Sequence, residues 1–285
     1  MSKVIQQYRI HGVNILPHKT QEGSVVTKIP AGYYKVEFHP MMGFYLTKEH
    51  NSVNIPSKIY GSTLPRAERI WNTFDKSDKP LGIGLFGTKG AGKTLLSNVI
   101  AKQAIEERGL PVIDVSATFS VDPDYLDFLN SLGEIVIIFD EFIKRLGSMA
   151  KNTDRENRES STDIARKRQD EMLPFFSGTN NQKRMIIMID NSSYGLSEFI
   201  TNRPGRMRYT FNYAGVEEAV VRAICSDNGI KDISKVDELV TYSQRNSCSF
   251  DMVNEIIREM VEYPKEKLAE ITSIMNVPSM VIRKS

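Results

Sequence analysis

The chain has 285 residues, 40% hydrophobic and 25% charged, with 37 basic and 35 acidic residues giving a net charge of +2. This is ordinary globular material with room for one large domain or two to three small ones, and it carries no acidic or basic tail. Two cysteines, Cys225 and Cys248, cannot build a disulfide framework, no run reaches membrane-spanning length, and the opening MSKVIQQYRIHG lacks the apolar stretch of a signal peptide, so a soluble protein of a reducing, cytoplasmic compartment is expected.

Residues 1–55 read as β. The stretch VVTKIPAGYYKVEFHPMMGFYLTKEHNSV alternates short aromatic and β-branched runs with Pro-Ala-Gly, His-Pro and charged breaks, which predicts a small antiparallel unit. A connector, IPSKIYGST, leads to a helix over about 65–74. From LGIGLFG onward apolar strands alternate with helices: strand 81–86, helix 93–107, strand 111–117, helix 123–131, strand 135–140, strand 184–190. Wholly apolar strands separated by helices imply a parallel sheet covered on both faces. The segment 147–171, GSMAKNTDRENRESSTDIARKRQDE, is charged and poor in large apolar residues, and predicts a loop leading into a helix. Beyond residue 215 the strand pattern stops, and GVEEAVVRAICSDNG and SFDMVNEIIREMVEY take helical spacing. The organisation is therefore a β module (1–55), an α/β core (56–214) and a helical unit (215–285).

The strongest chemical signal is Gly87-Thr88-Lys89-Gly90-Ala91-Gly92-Lys93-Thr94, a full G-x-x-x-x-G-K-T running into Leu95 between a strand and a helix. Glycines let the backbone wrap a phosphate, its N–H groups and the helix start supply positive potential, and Lys93 adds a full charge. Thr94 places a hydroxyl where Mg²⁺ would sit. The strand IVIIFDEF ends in Asp140, suited to the shell of that ion, and Glu141, suited to orienting a water; the bland reading is a strand ending in solvated acids. Asp190 and Asn191 end another strand, where Asn191 can hydrogen-bond a terminal phosphate, although Asp-Asn is also a common turn pair. In FITNRPGRMRY no acid accompanies Arg203, Arg206 and Arg208. Arg203 and Arg206 follow the Asn191 strand by about a dozen residues, too far round the sheet for their own cradle, so their expected partner is the nucleotide of an adjacent subunit; a solvated basic turn is the alternative.

In this order, phosphate loop, Asp-Glu strand, Asn-tipped strand, RPGR turn and helical tail resemble the AAA+ ATPases, and within them the AAA clade itself, over about residues 56–262. That resemblance implies an α/β fold: a P-loop NTPase parallel sheet core with a C-terminal helical lid, here with a small N-terminal β module. It also implies ATP and Mg²⁺ as cofactors, a homo-hexamer or similar ring, Asn191 as sensor, Arg203 and Arg206 as inter-subunit fingers, and Ile59, Tyr60 and Gly61 lining the adenine pocket. The short SVDPDYLDFLNSL and the region PFFSGTNNQKRMIIMIDN…FITNRPGRMRYTF are similar to Bcs-type translocases, with Asp190-Asn191 where that family has Thr-Asn and without its N-terminal membrane helix. The overall look is also similar to AAA proteins of large tailed bacteriophages, which extends the expected cytoplasm to a bacterial or infected-host one.

Three uses of the hydrolysis stay open: remodelling or translocating a protein client, driving or loading nucleic acid, and gating an assembly scaffold. Smaller features have plain readings. His11, His18, His39 and His50 lack the partners of a metal site, and Tyr33, Tyr34, Phe38, Phe44 and Tyr45 are placed as the core of a β unit before a base-stacking platform. The run ARKRQDE (165–171) mixes acids with its bases, as a solvated helix does, before it suggests a nucleic-acid contact.

Overall fold

The computed structural model describes residues 8–11, 13–17, 24–50, 53–116, 120, 122–145, 169–177, 182–193, 196, 200 and 203–278, so most of the charged segment 147–171 and His18 lie outside the described residues. In chain order the strands are β1 (Tyr8–His11), β2 (Asn14–Pro17), β3 (Ser24–Val26), β4 (Gly32–His39), β5 (Gly43–Lys48), β6 (Leu81–Gly87), β7 (Pro111–Asp114), β8 (Ile135–Asp140), β9 (Arg184–Asp190) and β10 (Tyr209–Tyr213). The helices are α1 (Thr63–Asp75), α2 (Lys93–Glu106), α3 (Pro123–Ser131), α4 (Leu173–Ser177), α5 (Glu218–Asp227), α6 (Ile233–Arg245), α7 (Phe250–Glu262) and α8 (Leu268–Ile274).

All ten strands form one sheet in the order β10-β6-β9-β8-β7-β4-β5-β2-β1-β3. From β10 to β4 every pairing is parallel, and from β4 to β3 every pairing is antiparallel. The predicted strands are close to those found; the expected strand 111–117 stops early because the Asp114 carboxylate accepts from Ser116 N at 2.8 Å and turns the chain. β6, β8 and β9 are buried almost throughout, which explains their unbroken apolar sequences. β4 instead alternates buried and half-buried positions, the pattern of a strand covered on one face.

One face of the sheet packs Tyr34, Val36 and Leu46 of the β wing together with Tyr125, Phe128, Phe139 and Phe176. The other packs α1 and α2, through Trp71, Phe74, Leu96 and Ile100, onto Ile83, Leu85, Val136 and Ile187. A third cluster, including Val221, Leu239, Ile256 and Ile271, is the core of the helices α5–α8. The fold is thus an α/β P-loop sheet with a C-terminal helical lid. Its β module adds to that sheet: β4 pairs in parallel with β7 from Gly32↔Pro111 to Lys35↔Asp114, so the ladder runs across the compositional boundary at residue 55. The aromatics divide, Tyr34 being wholly buried and Phe38 57% exposed; Met41, at 91%, is also exposed at the β4–β5 turn.

Helix α1 lies along the β10 edge. Its start meets the C-terminal end of that strand, where the Arg66 guanidinium stands 5.3 Å from the Tyr213 ring; its last turns meet the other end, where Thr73 Oγ1 and the Tyr209 hydroxyl are 2.7 Å apart.

Candidate active site

Strand register assembles the site. Gly87 pairs with Tyr213, Asp190 with Phe86, and Asp140 with Ile189, so the C-terminal tips of β10, β6, β9 and β8 stand side by side. This is where the strand order reverses around β6, the place where open α/β sheets take their ligands. Gly87 has φ +122°, and a Cβ there would stand 2.0 Å from the Tyr213 carbonyl oxygen, which accepts from Thr88 N at 2.8 Å. Gly90, at φ +72°, would meet Ser249 Cβ at 2.7 Å, and its carbonyl accepts from Phe250 N at 2.9 Å. The loop is therefore clamped between β10 on one side and the start of α7 on the other, and glycine is required at both clamps.

Lys93 opens α2 with its side chain buried, and its Nζ donates to the carbonyls of Gly87 at 2.5 Å and Thr88 at 2.8 Å. Burial lowers its pKa, opposed at longer range by Asp140 and Asp190. An ammonium satisfied by neutral carbonyls at the mouth of a glycine loop is suited to an incoming anion.

Asp140 opens into the same cleft, and partial desolvation there raises its carboxyl pKa. Its Oδ1 accepts from Glu141 N at 2.9 Å, and its own N donates to Ser116 Oγ at 3.0 Å. Glu141 sits at φ +55°, a left-handed conformation that costs a side-chain-bearing residue about 1–2 kcal/mol and persists only where its surroundings hold it. Two contacts hold that turn. Asp190 Oδ2 accepts from Ile143 N at 2.8 Å, tying the β9 tip to the backbone just beyond Glu141, and Arg145 N donates to Glu141 O at 3.0 Å. The Glu141 carboxylate pairs with Lys144 Nζ at 2.7 Å, which keeps its pKa below the usual range. Asp190 Oδ1 accepts from Asn191 N at 2.7 Å, and Asn191 lines the cleft.

The remaining wall comes from the connector and the lid. Glu217 Oε1 accepts from Ser62 Oγ at 2.6 Å and from the Arg66 guanidinium at 2.7 Å, while Asp227 Oδ2 accepts from Lys58 Nζ and the Tyr60 hydroxyl, both at 2.5 Å. Two lid carboxylates thereby fasten the lid to the segment before α1. The enclosed cavity is about 470 Å³, within the range of small-molecule sites.

Of the residues singled out in the sequence, Lys89, Gly90, Ala91, Gly92, Lys93, Thr94, Leu95, Asp140, Glu141, Asn191 and Tyr60 line this cavity. Gly87 and Thr88 lie beneath it as acceptors for Lys93. Gly61, at φ +71°, backs it against Val220 and Glu217, whereas Ile59 packs into the cluster under α1 and α2. Sequence reasoning did not find Ser62, Arg66, Tyr213, Glu217 or Phe250, which reach the cavity from four elements with no local pattern to join them. The donor chemistry suits a magnesium nucleotide: Thr94 and Asp140 face the cradle, and such an ion usually takes one or two protein oxygens beside phosphate and water. Among the described residues no cluster of His, Cys, Asp and Glu could hold a metal by itself.

The arginine turn lies elsewhere. Arg206 N and Met207 N both donate to the Arg203 carbonyl, Arg208 N donates to Gly82 O at 2.9 Å, and a Cβ on Gly82 would stand 1.9 Å from Arg206 O. Gly82 is the second residue of the strand that ends in the cradle at Gly87, a separation of about 16 Å at the rise of a β-strand. Arg206 Nε donates to Ser177 Oγ at 2.7 Å.

No helix among the described residues is long and apolar enough to cross a membrane. No curated protein matches the chain. Residues 83–214, which run from within β6 to just past β10 and contain the cradle, the acid pair and the arginine turn, match the model of the ATPase family associated with various cellular activities (AAA), and this AAA domain supports ATP binding and ATPase activity for the chain.

Proposed function

We propose that this is a ring-forming AAA+ ATPase, a homo-hexamer or similar ring, whose hydrolysis of ATP to ADP and phosphate remodels or translocates a protein client. The observation that carries the reading is the separation within one subunit: cradle and carboxylates share one cleft, while the arginine turn packs against the opposite end of β6. In this mechanism Lys93 leaves the loop carbonyls for the phosphates, Thr94 and Asp140 would hold Mg²⁺, and Asn191 hydrogen-bonds the terminal phosphate. The ion would supply neutralisation of phosphate charge. Glu141, once drawn from Lys144, orients and polarises the attacking water, and Asp190 keeps the turn that bears it in place. Arg203 and Arg206 of an adjacent subunit act on the charge that develops at the transition state; Arg206 exchanges its Ser177 bond for that contact. The base is held between Tyr60, Val220 and Phe250, with Gly61 at its back.

A mixing experiment tests the shared site. Lys93→Ala and the pair Arg203→Ala, Arg206→Ala should each abolish ATPase activity, and their mixture should recover a fraction of it, because some interfaces then unite an intact cradle with intact arginines. Absence of recovery despite demonstrated co-assembly overturns the reading. For the client, Glu141→Gln with ATP should retain a partner that washes off in ADP.

A further inference from the structure

Below the arginine turn, α1 and the start of β10 enclose a groove of about 630 Å³ that the nucleotide does not use. Its charge is one-sided. Arg69 of α1, Lys76 just past its end, Lys79 before β6 and Arg208 before β10 line it, against one carboxylate, Glu68. These four cations are exposed, and among the described residues none is in an ion pair. Asp75, in the last turn of α1, is held by Arg108 at 2.9 Å, and Asp78 is not part of the lining. Pro204 and Gly205, the residues between Arg203 and Arg206, form one wall, so the groove and the arginine pair are a single surface.

The chain carries a surface of opposite sign. Along α7, Asp251, Glu255, Glu259 and Glu262 recur at helical spacing and share one face. Asp251 lines the mouth of the nucleotide cleft, and the row extends from it for about 16 Å along the helix. Arg258 is the one cation of that face, and Glu255 holds it at 2.5 Å. The two surfaces thus have the same order: arginine pair then basic groove on one, nucleotide mouth then acidic row on the other.

We infer that the groove of one protomer seats the acidic face of α7 of the next, a second copy of this chain, while Arg203 and Arg206 enter that copy's nucleotide cleft. This rests on the shared-site reading above and names the contact that brings the arginines into register. Because these charges are exposed, apart from the half-buried Glu259, the contact acts through encounter and alignment, and salt screens it.

The test follows assembly by sedimentation in a non-hydrolysable ATP analogue, at about 50 and 300 mM salt. Wild type should assemble and weaken at the higher salt. The pair Arg69→Glu, Lys76→Glu and the pair Glu255→Lys, Glu259→Lys should each raise the midpoint of assembly at least about tenfold, with nucleotide binding by the protomer unchanged. A chain carrying all four changes should regain most of the lost assembly. Wild type that never assembles with nucleotide sinks the ring reading and this inference with it; wild type that assembles, with both reversals assembling equally well, sinks the inference alone. A labelled oligonucleotide that binds wild type but not the Arg69→Glu, Lys76→Glu variant, with assembly intact, assigns the groove to nucleic acid and also overturns the inference.

Discussion

The C-terminal ends of β6, β8 and β9 present a glycine loop, two acids and an asparagine; the opposite end of the sheet presents the arginine turn, the basic groove and a buried arginine. That last residue, Arg184, begins β9, donates to Asn130 and Gln182, lies 4.7 Å over the Phe175 ring, and has its pKa pushed down to about 10 by burial. Parallel pairing forces this division, since every strand then points the same way and each end collects one kind of loop. A cation placed before β10 is about 16 Å from a phosphate held after β6 in the same chain. Anion capture and cation supply therefore lie at opposite ends of one sheet, the arrangement that the proposed ring requires.

The sharpest way to break this contrast is to remove the cations. Arg203→Ala with Arg206→Ala should lower kcat by about 10³-fold while leaving the nucleotide affinity of the protomer unchanged; an equal loss of affinity would place the arginines at their own cradle. Next in size, Gly87→Ala should cost about 2–3 kcal/mol and lower Tm by roughly 3–5 °C, because positive φ and the Tyr213 carbonyl both oppose a side chain. Gly205→Ala at the other end, where a Cβ meets nothing within 4 Å, should leave Tm in place. Asp190→Ala should release Ile143 N and reduce kcat about tenfold with KM for ATP little altered, a loss that Asp190→Asn partly restores by keeping an acceptor oxygen. The smallest effect concerns pH. The folded pKa of Asp140 lies above the ordinary value, so its stabilising contribution is present below the ordinary carboxylate range and is lost as pH rises through the folded value. Without Mg²⁺, Asp140→Asn should therefore raise Tm slightly at pH 7, a gain that fades as pH falls into the ordinary carboxylate range, while hydrolysis disappears.

The parts legible in sequence are those whose cause is local. LGIGLFG, IVIIFD and RMIIMID are apolar on both sides because both sides are covered, and the glycine loop is recognisable since the backbone must bend there whatever surrounds it. The ties that need distant partners were not legible. Nothing near Glu217 announces Ser62 and Arg66, which stand 155 and 151 residues away, and nothing near Asp190 announces the amide of Ile143. The β wing read as a separate module because its alternation differs from that of the core; the pairing of β4 with β7 is a match between backbones and leaves no mark in side-chain type.

That pairing has a mechanical consequence. From Asp140 on β8 to the wing there is only β7 between, and each junction is a ladder of backbone hydrogen bonds with no hinge in it. A load applied at the exposed β4–β5 turn would travel sideways through the sheet as shear, reaching the strand that carries the acid pair before any loop could absorb it.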